Sequence, residues 1–437
     1  WTSTSSTVVS WERGVLAPSH MNYQDRYGFG IAEEDVDEYL KYRCLMDERM
    51  EKQLIDLELV LQEAIRDPKV WEKRSTIKAV RKGVPSELRG KMWFHMCNAN
   101  RRKFLGEFSY ADLLDPSKCD PHDLSTIELD LPRTFAGVKR MHTEETRSKL
   151  RNVLVALLNG ARIGYTQGLN LVASFLLLHM DEESAFWTLL TLVQDIMPAH
   201  LFSRSMKGLR VEFRLLDKLM GNRVSSKKKH LSSISFTPEM FASKWFICMF
   251  LGILPAETVA RIWDCLFLEG WKVILRVSIS LLKLAKEKIP DGPEFGIYLK
   301  SFCQSFFNCD ALFNTAFGLR RFSRSSLRKH REKSWQEIEA EDVATMLEED
   351  TSSHTNGDWL VLTGGRGISD EEGDSSNEEG GECSTGTGPV PPSSFAAASS
   401  SSSTEETDMA AQSSTAVGTG VIALEDWVQV DEHDLTD

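Results

Sequence analysis

The 437-residue sequence has no apolar run long enough for a membrane span. Leu169–Leu178 is broken by Asn170 and Ser174, and Trp245–Leu254 stops at Pro255, both short of the roughly 18 residues a span requires. Eight Cys occur without any Cys-x-x-Cys, and no His stands at zinc-ligand spacing, so no structural zinc site or disulfide scaffold is expected. Several of these Cys sit inside apolar patterns, as Cys248 and Cys265 do, and read as free buried thiols of a reducing compartment. No stretch alternates apolar and polar residues between turn signals, which argues against a sheet. No nucleic-acid-binding module is present, and no phosphate-binding loop either. The chain begins at Trp1 rather than Met, as a fragment or processed form is expected to.

What is present divides sharply by charge. The net charge is −13, but the residues from Gln336 onward carry 24 acids against one base, Arg366. The remainder then holds 50 Lys+Arg against 40 Asp+Glu, a mildly basic body joined to an acidic tail. Residues 1–30 show no periodicity and read as a flexible lead-in. Residues 31–75 read as a helical extension, one or two helices over 33–66 ending before Pro68. Residues 76–334 form a body with helical period throughout: Pro85-Ser86-Glu87-Leu88 opens one helix, and an acidic first turn after Thr143 opens another. That second helix carries a Leu150, Val153, Leu154, Leu157, Leu158 stripe stopped by Gly160. Asp181 reads as the N-cap of the next. Further helices are expected at 207–220, 239–251, 256–268, 271–287, 294–307 and 310–318. The fold class is therefore all-α. Residues 335–437 are Ser/Gly-rich and acidic and are expected to be disordered.

Two short segments carry chemistry. Ile127-Glu128-Leu129-Asp130-Leu131-Pro132-Arg133 presents a guanidinium, and Tyr165-Thr166-Gln167-Gly168-Leu169-Asn170 presents a carboxamide 34 positions later. GTP hydrolysis needs these two side chains: Arg to neutralise charge on the transferring phosphoryl group, Gln to orient the attacking water. Without a nucleotide loop of its own, this chain must offer both to another protein's site. Lys supplies charge without the planar fork of Arg. Pro132 stiffens the loop carrying Arg133, and Gly168 permits close backbone approach. Arg133 also reads as a surface residue paired to Asp130, with Asp130 orienting it. Tyr165 reads as a packing and positioning residue. Asn170 either bonds the glutamine loop or caps the following helix. Trp245, Trp263 and Asp264 read as core, and Arg89 as a buried ion-pair residue linking helices.

Ile127-x-x-Asp130-x-x-Arg133 and Tyr165-x-Gln167-Gly168 resemble the two finger motifs of the TBC domain, the Rab GTPase-activating family. Arg81-Lys82-Gly83-Val84-Pro85 with Leu88, Arg89 and Trp93 resembles its opening block. The stretch Ser243–Cys248 through Leu254-Pro255-x-Glu257, Arg261-Ile262-Trp263-Asp264 and Glu269-Gly270 resembles a later one. The resemblance covers roughly 30–320. It implies a TBC fold, Arg133 and Gln167 as catalytic fingers acting in trans, and a Rab-family small GTPase as partner. GTP and Mg²⁺ then belong to that partner, no cofactor is expected, and no independent enzymatic activity. The expected location is cytoplasmic, with peripheral contact to endomembranes left open. Segment 221–241, with Lys227-Lys228-Lys229-His230, departs from the family pattern. It reads as a flexible basic loop or as a docking element for an acidic Rab surface or lipid. The basic run from Arg320 to Arg331 either touches anionic lipid or pairs with the acidic tail.

The tail holds two islands, Asp358-Trp359-Leu360-Val361-Leu362 and Asp426-Trp427-Val428-Gln429-Val430. Trp359 with Leu362 and Trp427 with Val430 resemble short peptides that bind ubiquitin-like autophagy modifiers by adding a strand to a sheet edge. An alternative function follows: a catalytically weak TBC scaffold that recruits autophagy or trafficking partners through its tail.

Overall fold

Caps and apolar stripes set the architecture, and every regular element among the described residues is a helix. The computed structural model describes residues 23–355 except Glu107, Arg204, 286–293 and Arg321, with side chains through Thr345. Among these residues are sixteen α-helices and no strand, only an isolated antiparallel bridge between Gln24 and Gly30. In chain order they are α1 (Val36–Arg66), α2 (Arg74–Lys82), α3 (Ser86–Met96), α4 (Ala99–Leu105), α5 (Pro121–Arg133), α6 (Glu144–Ala161), α7 (Leu169–Leu177) and α8 (Glu182–Thr191). Then follow α9 (Lys207–Arg223), α10 (Ser225–Ser233), α11 (Pro238–Ile247), α12 (Ala256–Glu269), α13 (Lys272–Leu284), α14 (Glu294–Gln304), α15 (Cys309–Gly318) and α16 (Arg324–Thr355). None of the described helices is long and apolar enough to cross a membrane. Described residues through Val343 form one unit; Ala344 begins a second, in which α16 continues to Thr355.

Local chemistry explains the boundaries. Thr143 caps α6 by accepting from Thr146 N at 3.2 Å, and its Leu150–Leu158 stripe is buried as expected. The helix runs past Gly160 and closes at Arg162, whose φ is 54°. Gly160 is instead a packing glycine: a Cβ there would lie 3.1 Å from Leu113 Cδ1. Asp181 caps α8 by accepting from Ser184 N at 3.0 Å. Among the described residues, the bulkiest fully buried side chains are Trp93, Trp187, Trp245 and Trp263. α12 is buried on nearly every face and packs on α2, α3 and α13, the pattern of a central helix.

Buried charge ties α3 to α12. Arg89 donates to Glu257 at 2.7 Å and to Asp264 at 3.2 Å. Asp264 also accepts from Trp93 Nε1 at 2.8 Å and Val84 N at 3.0 Å. Burial lowers the affinity of Arg89 for its proton, but Asp264 and Glu257 outweigh that and hold its pKa well above the usual range. Arg89, Trp263 and Asp264 are the core residues the sequence implied.

Three boundaries differ from expectation. Residues 23–30 are not a loose lead-in: they form a tight turn whose Tyr27 is buried in the core, while 1–22 lie outside the described residues. The division at 334/335 falls inside α16, because both halves of its charge pattern are used by one neighbour. Arg331 pairs with Glu212 of α9, while Glu339 and Asp342 pair with Lys207 and Arg210 of α9 at 3.1 and 2.7 Å. The Lys227–His230 stretch is helix α10, not a loop: Lys227 Nζ donates to Leu282 O at 2.6 Å and Lys228 pairs with Asp217.

Candidate functional site

Asp120 opens α5 by accepting from His122 N at 2.9 Å, with Pro121 at the first helical position. Ile127, Asp130 and Leu131 face inward at i, i+3, i+4. Arg133 is therefore delivered by the last helical residue, and Pro132 lies within the final turn rather than in a loop. Thr134 Oγ1 donates back to the Asp130 carbonyl at 2.6 Å. Phe135 then turns the chain with φ 50°, a left-handed conformation that costs a bulky residue about 1–2 kcal/mol.

The second arm leaves α6 at Arg162 and reaches Gln167 and Gly168 at the start of α7. Gly168 has φ 108°, and a Cβ there would stand 2.8 Å from Ile247 Cγ2 and 2.9 Å from Cys248 Sγ. Glycine is required here by the end of α11 and by the backbone angle, a reason internal to the fold.

Two ties join the arms. Asp130, fully buried, accepts from Arg133 Nε at 2.6 Å and from Tyr165 Oη at 2.6 Å. Burial first, and then the Asp130 carboxylate, push the Tyr165 hydroxyl far up, so it stays a donor at every ordinary pH. Asn170 forms the second tie: Nδ2 donates to Thr134 Oγ1 at 2.8 Å while Oδ1 accepts from Gly168 N at 3.0 Å. Of its two expected roles Asn170 takes the first, since the cap position of α7 is Gly168.

The tips remain available. The Arg133 side chain is 47% exposed although its partner Asp130 is at 0%. Asp130 holds the Nε and Nη2 edge, and Nη1 makes no bond among the described residues. Arg133 is thus the surface residue paired to Asp130 that the sequence suggested, and the pairing leaves Nη1 open. Gln167 is half-buried, and its carboxamide has no hydrogen bond among the described residues. No group of three or more His, Cys, Asp or Glu among them is arranged to hold a metal ion.

Known proteins share this arrangement of elements. The family model described as Rab-GTPase-TBC domain matches residues 86–290. Growth hormone-regulated TBC protein 1 of Xenopus tropicalis is 32% identical over 278 residues, 62% of this chain and 80% of that protein. The chain belongs to the TBC Rab-GAP family. The human growth hormone-regulated TBC protein 1 is 37% identical over 221 residues, 49% of this chain and 65% of that one. The crystal structure of the Chlamydomonas flagellar RabGAP TBC domain is 29% identical with a TM-score of 0.58, covering 68% of this chain and 99% of that chain. Within this TBC domain, Arg133 and Gln167 both fall in the matched range.

Sequence reasoning missed Thr134, Phe135 and the turn at 23–31, which bear on the arginine arm. Thr134 carries no signal in a single sequence, and the contact of Phe29 with Phe135 joins residues 106 positions apart. Trp359, Leu362, Trp427 and Val430 lie outside the described residues.

Proposed function

We propose that this chain accelerates GTP hydrolysis by a Rab-type GTPase, with Arg133 and Gln167 entering the partner's nucleotide site. One observation carries the reading: an exposed guanidinium and an uncommitted carboxamide stand on two arms cross-tied through Asp130–Tyr165 and Thr134–Asn170. Charge spread over the phosphate oxygens in the transition state is met by Arg133, whose Nε edge Asp130 has already fixed, so little freedom is lost on insertion. Gln167 holds the attacking water from a half-buried position. GTP and Mg²⁺ come with the partner. Family membership supports a Rab as that partner.

Single-turnover hydrolysis across a panel of GTP-loaded Rab proteins tests this. On a Rab that wild type accelerates, Arg133→Ala and Gln167→Ala each lower the rate at least ~10²-fold, a conservative share of the ~10³–10⁵ of a finger. Arg133→Ala also strips the counter-ion from buried Asp130, so its rate is taken per folded molecule; Gln167→Ala has no such side effect. Unchanged rates in both variants would mean the chemistry is misassigned.

A further inference from the structure

The turn Tyr23–Ile31 lies outside the residues that the family model matches, yet it touches both the buried charge cluster and the arginine arm. It is closed from within. Asp25 Oδ1 accepts from Tyr27 N at 2.8 Å and Phe29 N at 2.9 Å, and Ile31 N donates to Tyr23 O at 2.8 Å. One side is anchored: Tyr27 Oη donates to Glu257 at 2.9 Å and accepts from Arg89, and Arg26 pairs with Asp47. The other side meets the chain directly after Arg133. The Phe29 ring stands edge-on to the Phe135 ring at 4.9 Å, 85° between planes. Gly28, with φ 92°, lets Val138 Cγ1 approach to within 3.3 Å of where its Cβ would be.

Phe135 is the strained residue of the arginine arm. Its left-handed backbone is intrinsically unfavourable, and such conformations persist only where the surroundings over-determine them. His142 Nε2 meets its carbonyl at 3.2 Å, and Val138 N donates to the same oxygen at 2.8 Å. Those bonds hold the backbone, and the ring packs against Phe29 and the edge of the core.

We infer that the Tyr23–Ile31 turn is a positioning strut for the arginine arm, with Phe29 acting through Phe135 to fix the direction in which Arg133 leaves α5. This rests on the GTPase-activating reading for its catalytic consequence but not for its structural one. Phe29 touches no reacting group; it removes alternative paths of the backbone at 134–138. Misplacing a catalytic group by a fraction of an ångström lowers the rate of a bound complex while leaving the affinity of the surfaces nearly unchanged.

The experiment compares full-length wild type, Phe29→Ala and Phe29→Tyr. In amide hydrogen exchange, Phe29→Ala speeds exchange at 134–138 at least about 10-fold while α6, α12 and α13 exchange as in wild type, and Phe29→Tyr restores protection. In single-turnover hydrolysis on a responsive Rab, Phe29→Ala lowers the saturating rate about 10-fold, with the half-saturating concentration changed less than about 2-fold, and Phe29→Tyr recovers the rate. Unchanged exchange at 134–138 overturns the strut. So does a loss confined to half-saturation, which would make Phe29 a docking residue. If wild type and Arg133→Ala are equally inactive on every Rab while exchange at 134–138 responds as stated, the strut stands and the GTPase-activating reading falls.

Discussion

At the residue scale, the site is built from side chains that spend all their bonds so that two others spend few. Asn170 is the clearest case. Its amide group is buried, and removing it leaves Gly168 N without an acceptor and Thr134 Oγ1 without a donor. A buried polar group stripped of its partner costs about 1–3 kcal/mol, so Asn170→Ala is expected to lose that much stability in urea unfolding. An unfolding midpoint equal to wild type would show that the cross-tie carries nothing. Gly168→Ala combines two penalties, the positive φ and a methyl group 2.8 Å from Ile247 Cγ2; it is expected to lose at least about 2 kcal/mol in the same measurement. The identity of these residues was visible in the sequence, but the reasons were not. Glycine at 168 suggested a close backbone approach, and only the fold says that Ile247 and Cys248, some 80 positions away, fill the space a side chain would take. Likewise Asn170 had two plausible uses until Thr134 was placed beside it.

At the element scale, helices with a stripe and a cap were legible and helices held by charge were not. α6 follows its apolar stripe, and α8 begins at the expected cap. α10 and α16 are polar over most of their surface, so composition read them as a loop and as the start of a tail. α16 is stabilised by ion pairs to α9 and along its own length, as in Arg328–Glu332 at 3.6 Å, and such pairing is invisible until the neighbour is known. The turn at 23–31 escaped for a different reason: nine residues have no period. Its chemistry gives a test of its own. Burial raises the Asp25 carboxyl to about 6, with Glu257 adding to the effect and the Phe29 and Tyr27 amides opposing it. A folded-state pKa above the unfolded one means that the folded state binds the proton more tightly. Asp25 therefore favours the fold below about pH 4, and that contribution is lost as pH rises through about 6. Both amides bond the same Oδ1, which an asparagine also offers. Asp25→Asn is expected to keep the turn and to gain about 1–2 kcal/mol relative to wild type at pH 7.5, with the gain vanishing near pH 4, as read from urea unfolding at both pH values. A loss at pH 7.5 would mean that the charge itself is required.

Across the molecule, stability and the proposed chemistry fall to different arginines, and the difference is one of burial. Arg133 sits half in solvent at the end of a helix, whereas Arg89 is wholly inside, shared between α3, two carboxylates of α12 and the hydroxyl of Tyr27. A buried charge pair contributes little net energy over an apolar replacement of the whole set, but removing one member leaves the others unpaired. Arg89→Met keeps the approximate bulk and deletes the cation. Asp264 retains Trp93 and Val84 N, and Glu257 retains Tyr27 and Arg26 at 3.5 Å, yet two carboxylates then share no buried cation. The expected loss is about 3–5 kcal/mol in urea unfolding, the range for breaking a buried pair from one side. Gln167→Ala is the converse: no loss of stability and a large loss of hydrolysis rate. Replacing all three groups together, Arg89→Met with Glu257→Gln and Asp264→Asn, is expected to recover part of the stability lost by the single change. The recovered fraction separates the penalty for stranded charge from the packing of the guanidinium itself. If the triple variant is less stable than Arg89→Met alone, the carboxylates are held chiefly by Tyr27, Trp93 and Val84, and Arg89 serves to fill space between α3 and α12.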